Sequence, residues 1–253
     1  MIRVVVCGAL GRMGSTVGRL VNESRDLELV GGVDMTAGSF YGVEVTEALN
    51  INDFLAAKKP DVIIDFTIAD AAVENAKAAA KNGAALVVGT TGFSEDQRAE
   101  MARAIEGNVP AVISSNFSIG VNIFWKLIRE AAKMLKDYDI EVIEAHHRYK
   151  KDAPSGTART ILQILDEEAG AREKMYGREG MTERGKEIGV HVIRGGDIVG
   201  DHAVLFSGNF ETIQLSHRAY DRSVFAQGAL KAARWVAGKK PGIYGMDDVL
   251  QLK

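Results

Sequence analysis

A single cysteine, Cys7, stands in the whole chain, inside the apolar run IRVVVCG. It excludes an intramolecular disulfide and any zinc framework built from cysteine pairs, and it reads as a small buried side chain. Long hydrophobic runs are missing as well: none approaches the ~20 apolar residues that a membrane-spanning helix takes. The opening MIRVVVCG has no charged region leading into an apolar stretch, so a cytoplasmic location is expected. Positive charge is not in excess either. A net charge of -3 argues against general affinity for nucleic acid or anionic membranes and leaves room only for a local basic patch. What the chain does have is 46% hydrophobic and 26% charged residues, the balance of a globular protein, in a length that suits two domains of ordinary size.

From the first residues on, short β-branched runs alternate with longer stretches of helical period, the pattern of βαβ units in a parallel sheet covered on both faces. IRVVVCG, LELVGGVD, DVIIDFT, ALVVGTTG and PAVISSNFS read as strands. RMGSTVGRLVNES, FLAAKK, ADAAVENAKAAAKNG and SEDQRAEMARAIEG read as the helices between them. Gly83 is placed as the C-terminal cap of the third helix, and Ser94 with Gln97 has the form of a capping box at the start of the fourth.

After about residue 118 the rhythm changes. An amphipathic helix, VNIFWKLIREAAKML, leads to the strand DIEVIEA, a turn rich in histidine and lysine, and the helix ARTILQILDEEAG. The glycine- and charge-rich AREKMYGREGMTERGKEIG suits an exposed loop. VHVIRGGDIVG, HAVLFSG and ETIQLSHR then follow with little room for helices, which favours antiparallel or mixed pairing. The last helix, SVFAQGALKAARWVAG, is expected to return to the first domain. The expected fold is α/β: a Rossmann-type doubly wound parallel sheet in residues 1–117 with 222–253, and a second α+β domain with a mixed, largely antiparallel open sheet in residues 118–221.

GALGRMG joins the first strand to the first helix with Gly8, Gly11 and Gly14 spaced one position wider than the usual dinucleotide fingerprint. The physics survives the change, because glycines let backbone N–H groups approach a pyrophosphate at a helix N-terminus, where the dipole favours negative charge. Such turns also occur simply to pack helix on strand. What favours a dinucleotide is Asp34, at the end of the second strand, where a carboxylate reaches an adenine ribose. Arg12 in the loop and Met35 after the acid leave NADH and NADPH both open. Two further strand ends, GTTG at 89–92 and SSNFS at 114–118, would face the same crevice, with Phe117 as a flat apolar wall beside the nicotinamide. Both also fit ordinary strand-to-helix turns.

EAHHRYKKDAPSGTA, residues 144–158, holds the remaining chemistry. His146 and His147 are strand neighbours that point to opposite faces, and no nearby Cys pair or H-x-x-x-H supplies further ligands, so no metal is expected. Arg148, Lys150 and Lys151 are too few for a nucleic-acid surface in an acidic chain. Ser155, Gly156 and Thr157 deliver N–H groups at the start of the following helix, a ready site for a carboxylate. With Lys150 and a histidine beside it the pocket suits a small dianion, and histidine transfers protons near neutral pH.

The motifs GALGRMG, IDFT, VVGTTGF, SNFSIGVN, EAHHRYKKDAPSGTA, RGGDIVGDH and SHRAYDRSVFAQGAL, in this order, resemble the dihydrodipicolinate reductase family over nearly the whole chain. The resemblance implies reduction of a heterocyclic dicarboxylate by NADH and/or NADPH, with loss of water, in the diaminopimelate route to lysine. It further implies a cytoplasmic homotetramer assembled largely through the second domain's sheet. Carried over by motif position, His146 is the acid/base residue and Lys150 a proton donor or carboxylate ligand. His147, Gly156 and Thr157 bind substrate, and Ser155 assists. On the cofactor side the resemblance places Gly8, Ala9, Leu10, Gly11, Arg12 and Met13 at the pyrophosphate and Asp34 at the ribose. Gly89, Thr90 and Thr91 fall at the nicotinamide, and Ser114, Ser115, Asn116 and Phe117 beside its ring. Met35 stands where some members carry a basic residue, which weakens the case for NADPH preference.

Overall fold

In the computed structural model, which describes residues 1–252, IRVVVC forms β1 (Ile2–Cys7), and its side chains from Val4 onward are buried. The chain continues through α1 (Arg12–Asn22), β2 (Leu27–Asp34), β3 (Gly38–Phe40), β4 (Val43–Glu47), α2 (Ile51–Lys58), β5 (Val62–Asp65) and α3 (Ala69–Asn82). Next come β6 (Ala85–Val88), α4 (Glu95–Ile105), β7 (Pro110–Ile113), α5 (Ile119–Met134), β8 (Asp139–His146) and α6 (Gly156–Ala169). The last elements are β9 (Lys174–Tyr176), β10 (Ile188–Arg194), β11 (Gly200–Ser207), β12 (Thr212–Ala219), α7 (Ser223–Val236), β13 (Gly242–Tyr244) and α8 (Met246–Leu250). Two units result, one made of Met1–Ile119 with the chain from Arg222 onward, the other of Gly120–Asp221.

The first unit holds eight strands in the order β13-β7-β6-β5-β1-β2-β4-β3, parallel throughout except for the terminal β3–β4 pair. The order reverses at β1, with β2 on one side and β5 on the other, which opens a crevice at their carboxyl ends. Alternate strand residues divide between two cores. Val4, Val6, Ile64 and Val87 pack with α1 and α7, while Val5, Ile63, Leu86 and Val88 pack with α2, α3 and α4. Small residues let α7 lie close: a Cβ on Gly228 would stand 1.7 Å from the Phe117 carbonyl oxygen. Gly83 caps α3 in the left-handed region at φ 68°, and Ser94 and Gln97 form a reciprocal capping box on α4.

The second unit's five strands run β12-β11-β8-β10-β9. β11 is antiparallel to both β12 and β8, whereas β10 is parallel to β8 and to β9. Phe124, Ile128, Ile161 and Leu165 of α5 and α6 cover Ile140, Val142, Val190, Val204 and Phe206 on one face. The segment expected to be an exposed loop is exposed throughout residues 177–183 but is not wholly irregular. It contains β9 and is tied down by ion pairs, Lys174 to Asp166, Arg178 to Glu187 at 2.5 Å and Arg184 to Asp139 at 2.7 Å. Its charges thus engage partners within the unit, although such half-exposed pairs stabilise little individually.

Candidate functional site

In the first unit the glycine turn closes on β2. The amides of Gly8 and Ala9 both donate to the Val33 carbonyl, at 2.8 and 3.2 Å, and Gly11 N donates back to the Gly8 carbonyl at 3.0 Å. Gly8 has φ +76°, and a Cβ there would meet the Phe66 carbonyl oxygen at 2.7 Å. A Cβ on Gly14 would lie 1.9 Å from the Gly8 oxygen, so the first turn of α1 rests directly on the loop backbone. No side chain caps α1 at Gly11, which leaves the opening N–H groups of that helix to whatever occupies the crevice. Asp34 braces the loop: its carboxylate accepts from Leu10 N at 2.8 Å and Met35 N at 2.7 Å. Each oxygen keeps a second lone pair for a hydroxyl donor. Leu10, Gly11 and Arg12 are exposed, while Ala9 is buried.

Beside this turn lies an open cleft of about 690 Å³ whose lining includes Met13, Phe66, Thr67, Gly89, Thr90 and Thr91. Its floor is organised by Asp65, a fully buried carboxylate at the end of β5. Asp65 accepts from Thr67 N and Oγ1 at 3.0 and 2.8 Å, from Thr90 Oγ1 at 2.7 Å and from Asn75 Nδ2 at 2.6 Å. Those four bonds compensate a buried charge that would otherwise be costly. Asp65 was not singled out from the sequence. Its isolation in an apolar strand, VIID, was the available signal.

Ser114 makes a local turn, its hydroxyl donating to the Asn116 carbonyl at 2.9 Å and accepting from Asn116 N at 3.2 Å. Ser115 is exposed. Phe117 is not the expected wall: it is 2% exposed and belongs to the core under α7, meeting Phe66 edge-on at 6.0 Å. Phe66 supplies the aromatic lining of the cleft instead. Cys7 is buried, and burial, with Asp65 and Asp34 nearby, pushes its thiol well above the ordinary range.

In the second unit β8 ends at His146, and strand alternation puts His146 on the same inward side as Glu144. Glu144 is fully buried. Its Oε2 lies 2.6 Å from His146 Nδ1, and its Oε1 accepts from Ser155 N at 2.9 Å. Arg194, the last residue of β10, donates to both oxygens in a fork, Nη1 to Oε2 at 2.8 Å and Nη2 to Oε1 at 2.9 Å. Burial raises the Glu144 pKa, but His146, Arg194 and the Ser155 amide outweigh it and bring it down to about 2.

Ser155 therefore does not offer its amide as the sequence reading supposed. That N–H is engaged by Glu144, and the Ser155 hydroxyl caps α6 through Ala158 N and lies 3.1 Å from His202 Nε2. Gly156 and Thr157 form the opening of α6, with Gly156 exposed. His147 is half-buried and packs against Tyr149. Lys150, held in a turn by its amide to the His147 carbonyl at 3.1 Å, pairs with Asp152 at 2.9 Å. His202 is buried edge-on to His146 at 5.1 Å; burial first, then the charge of His146, pushes its pKa down to about 3. Glu144, His146 and His202 bring their ligand atoms within 4.8 Å of one another. A cation there would have to displace the Arg194 fork, so the set suits a hydrogen-bonded histidine better than a metal. Glu144, Arg194 and His202 were missed in the sequence because they converge from three strands.

A parallel sheet with a glycine turn and an acid at neighbouring strand ends, joined to a unit that buries a carboxylate-linked histidine, defines a dinucleotide-dependent oxidoreductase. The N-terminal model of dihydrodipicolinate reductase matches residues 2–117, and the C-terminal model of the same enzyme matches residues 120–250. The chain belongs to the dihydrodipicolinate reductase family. It is 74% identical over 253 residues to the 4-hydroxy-tetrahydrodipicolinate reductase of Methanoregula boonei, covering 100% of this chain and 99% of that one. It is 71% identical over 252 residues to the enzyme of the same name from Methanoculleus marisnigri, with 100% of each chain covered. Among solved structures, a dipicolinate-bound dihydrodipicolinate reductase from Paenisporosarcina sp. TG-14 superposes with a TM-score of 0.81 at 28% identity, over 97% of each chain.

Proposed function

We propose that this chain reduces 4-hydroxy-tetrahydrodipicolinate to tetrahydrodipicolinate in the diaminopimelate route to lysine, consuming one NADH or NADPH and one proton and releasing one water. The observation that carries the reading is the turn from β8 to α6, which gathers His146, His147, Lys150 and the N-terminus of α6 within one short segment of the family's chain. An anionic dicarboxylate is what such a set recognises: an ammonium, imidazoles and helix amides at one place.

The residues at the end of β1 fit a nicotinamide dinucleotide. A Cβ at Gly8 or Gly14 would collide with backbone, the Phe66 and Gly8 carbonyls respectively, so glycine keeps the turn tight; α1 begins without a side-chain cap, and Asp34 retains acceptor capacity for ribose hydroxyls. Residues 8–13 would take the pyrophosphate, Asp34 the adenine ribose, and 89–91 with 114–116 the nicotinamide end. When bound, that cofactor supplies the hydride. His146 would exchange the proton, as an imidazole linked to a carboxylate is suited to do. Lys150 has two ammonium donors left beyond its bond to Asp152, for a substrate carboxylate or for proton delivery. Gly156 and Thr157 would bind a carboxylate at the start of α6, with His147 and Ser155 in support.

A cytoplasmic homotetramer completes the reading. β12 is an eight-residue edge strand that, among the described residues, is paired on one side only, by β11, and its exposed residues include Ile213. A long unpaired edge calls for cover, and light scattering on the purified chain is expected to give four times the chain mass.

Oxidation of NADH and of NADPH, followed with and without freshly generated 4-hydroxy-tetrahydrodipicolinate, tests the activity. Oxidation is expected only with the heterocycle. Turnover with aspartate or a sugar acid in its place would transfer the chain to another dehydrogenase reaction. Tight NADH binding without turnover of any dicarboxylate would make it a nucleotide sensor.

A further inference from the structure

Glu144 lies behind His146, away from any solvent path, and three separate segments hold it: Arg194 from β10, the Ser155 amide before α6, and His146 on its own strand. We propose that Glu144, clamped by Arg194, is a positioning residue that fixes the tautomer and the orientation of His146, leaving Nε2 as the nitrogen that handles the proton. This rests on the reading of His146 as the acid/base group.

The tautomer follows from the donor and acceptor inventory. An ionised carboxylate only accepts, so the 2.6 Å contact places a proton on His146 Nδ1 and leaves Nε2 bare in the neutral ring. The depressed pKa of Glu144 keeps that carboxylate ionised at neutral pH. Arg194 makes the carboxylate rigid as well as charged, because a two-point fork fixes its plane, and the Ser155 amide takes a further lone pair of Oε1. The far side of the ring is left uncrowded by glycine: a Cβ on Gly200 would stand 3.2 Å from His146 Nε2. His202 cannot take over the role of His146. It is neutral near pH 7, its Nε2 is engaged with the Ser155 hydroxyl, and its ring only packs edge-on against His146.

The alternative is that Glu144 and Arg194 form a buried ion pair that merely supports the fold. The two roles separate in a double-mutant cycle on the full-length protein. Glu144→Gln keeps the size of the side chain but allows an amide N–H to face Nδ1, so the tautomer is no longer enforced. Its kcat is expected to fall about 10- to 100-fold, part of what general acid–base catalysis supplies, with the KM values for dicarboxylate and cofactor nearly unchanged. In the His146→Gln background the same change should lower kcat no further, whereas a purely structural role would still lower it. Nitrogen NMR of 15N-histidine-labelled wild-type protein gives a second readout that needs no variant: His146 should carry its proton on Nδ1. A wild-type Nε2–H tautomer, or an unchanged kcat in Glu144→Gln, overturns the proposal. If instead His146→Gln itself turns over normally, the acid/base reading fails, and the positioning role falls with it.

Discussion

At the scale of single residues, each unit holds a buried carboxylate whose partners come from distant parts of the sequence. Asp65 takes Thr90 from 25 residues away, and Glu144 takes Arg194 from 50 away. Neither partnership leaves a local pattern, whereas the glycine turn, Asp34 and the histidine pair were legible because each acts through backbone spacing or strand alternation. The orientation of Phe117 was illegible for the same reason: whether a ring faces a cleft or a core depends on α7, more than a hundred residues on. His202 carries a consequence for stability. Its folded pKa of about 3 lies below the ordinary 6.5, so between these values the unfolded chain binds a proton that the folded chain does not. Stability is therefore full above about pH 6.5 and falls as the pH drops toward 3. Glu144 acts in the same direction lower down, its contribution being present above 4.5 and lost as the pH falls through about 2. Replacing His202 with Asn is expected to flatten the dependence of Tm on pH between 6.5 and 4; an undiminished slope would mean that His202 is charged in the folded protein.

Among the elements, length decided what was legible. Every long periodic helix and five strands of the parallel run, β1, β2, β5, β6 and β7, could be placed from the sequence pattern, down to the cap at Gly83 and the capping box at Ser94. The pieces passed over are short: β3, β9 and β13 are three-residue strands on sheet margins, held by a neighbour rather than by a pattern of their own, and β4 and α8 have five residues each. β3 returns to β4 through Tyr41 and Gly42, both at positive φ, a tight hairpin that the sequence marks only by one glycine. The junction of β1 and α1 is the element proposed to hold the nucleotide, and Gly14 is its most constrained point. Gly14→Ala would drive a methyl group into the Gly8 carbonyl. Thermal unfolding is expected to show a loss of about 1–3 kcal/mol, typical of overpacking, accompanied by weaker NADH binding in a fluorescence titration. Unchanged affinity would separate the glycine turn from the dinucleotide.

For the whole molecule, the alternation of strand and helix up to residue 117 and its loss afterwards foreshadowed a change of architecture, and the contact boundaries fall at Ile119 and Asp221. The pairing within the second sheet was less legible. Close spacing of the last strands favours antiparallel or mixed pairing, and the sheet is mixed: β11 is antiparallel to β12 and β8, while β8 and β10 run parallel, with α6 and β9 in the chain between them. The proposed division of labour, dinucleotide in the first unit and proton transfer with carboxylate binding in the second, is tested most directly by His146→Gln and Lys150→Ala. Steady-state kinetics and NADH titration are run on the same preparations. Turnover at saturation is expected to fall about 10²- to 10⁴-fold for His146→Gln, the range of general acid–base catalysis, and the KM for the dicarboxylate to rise for Lys150→Ala, with the NADH dissociation constant of both variants equal to that of the parent. A collapse of NADH affinity with turnover at saturation intact would contradict it.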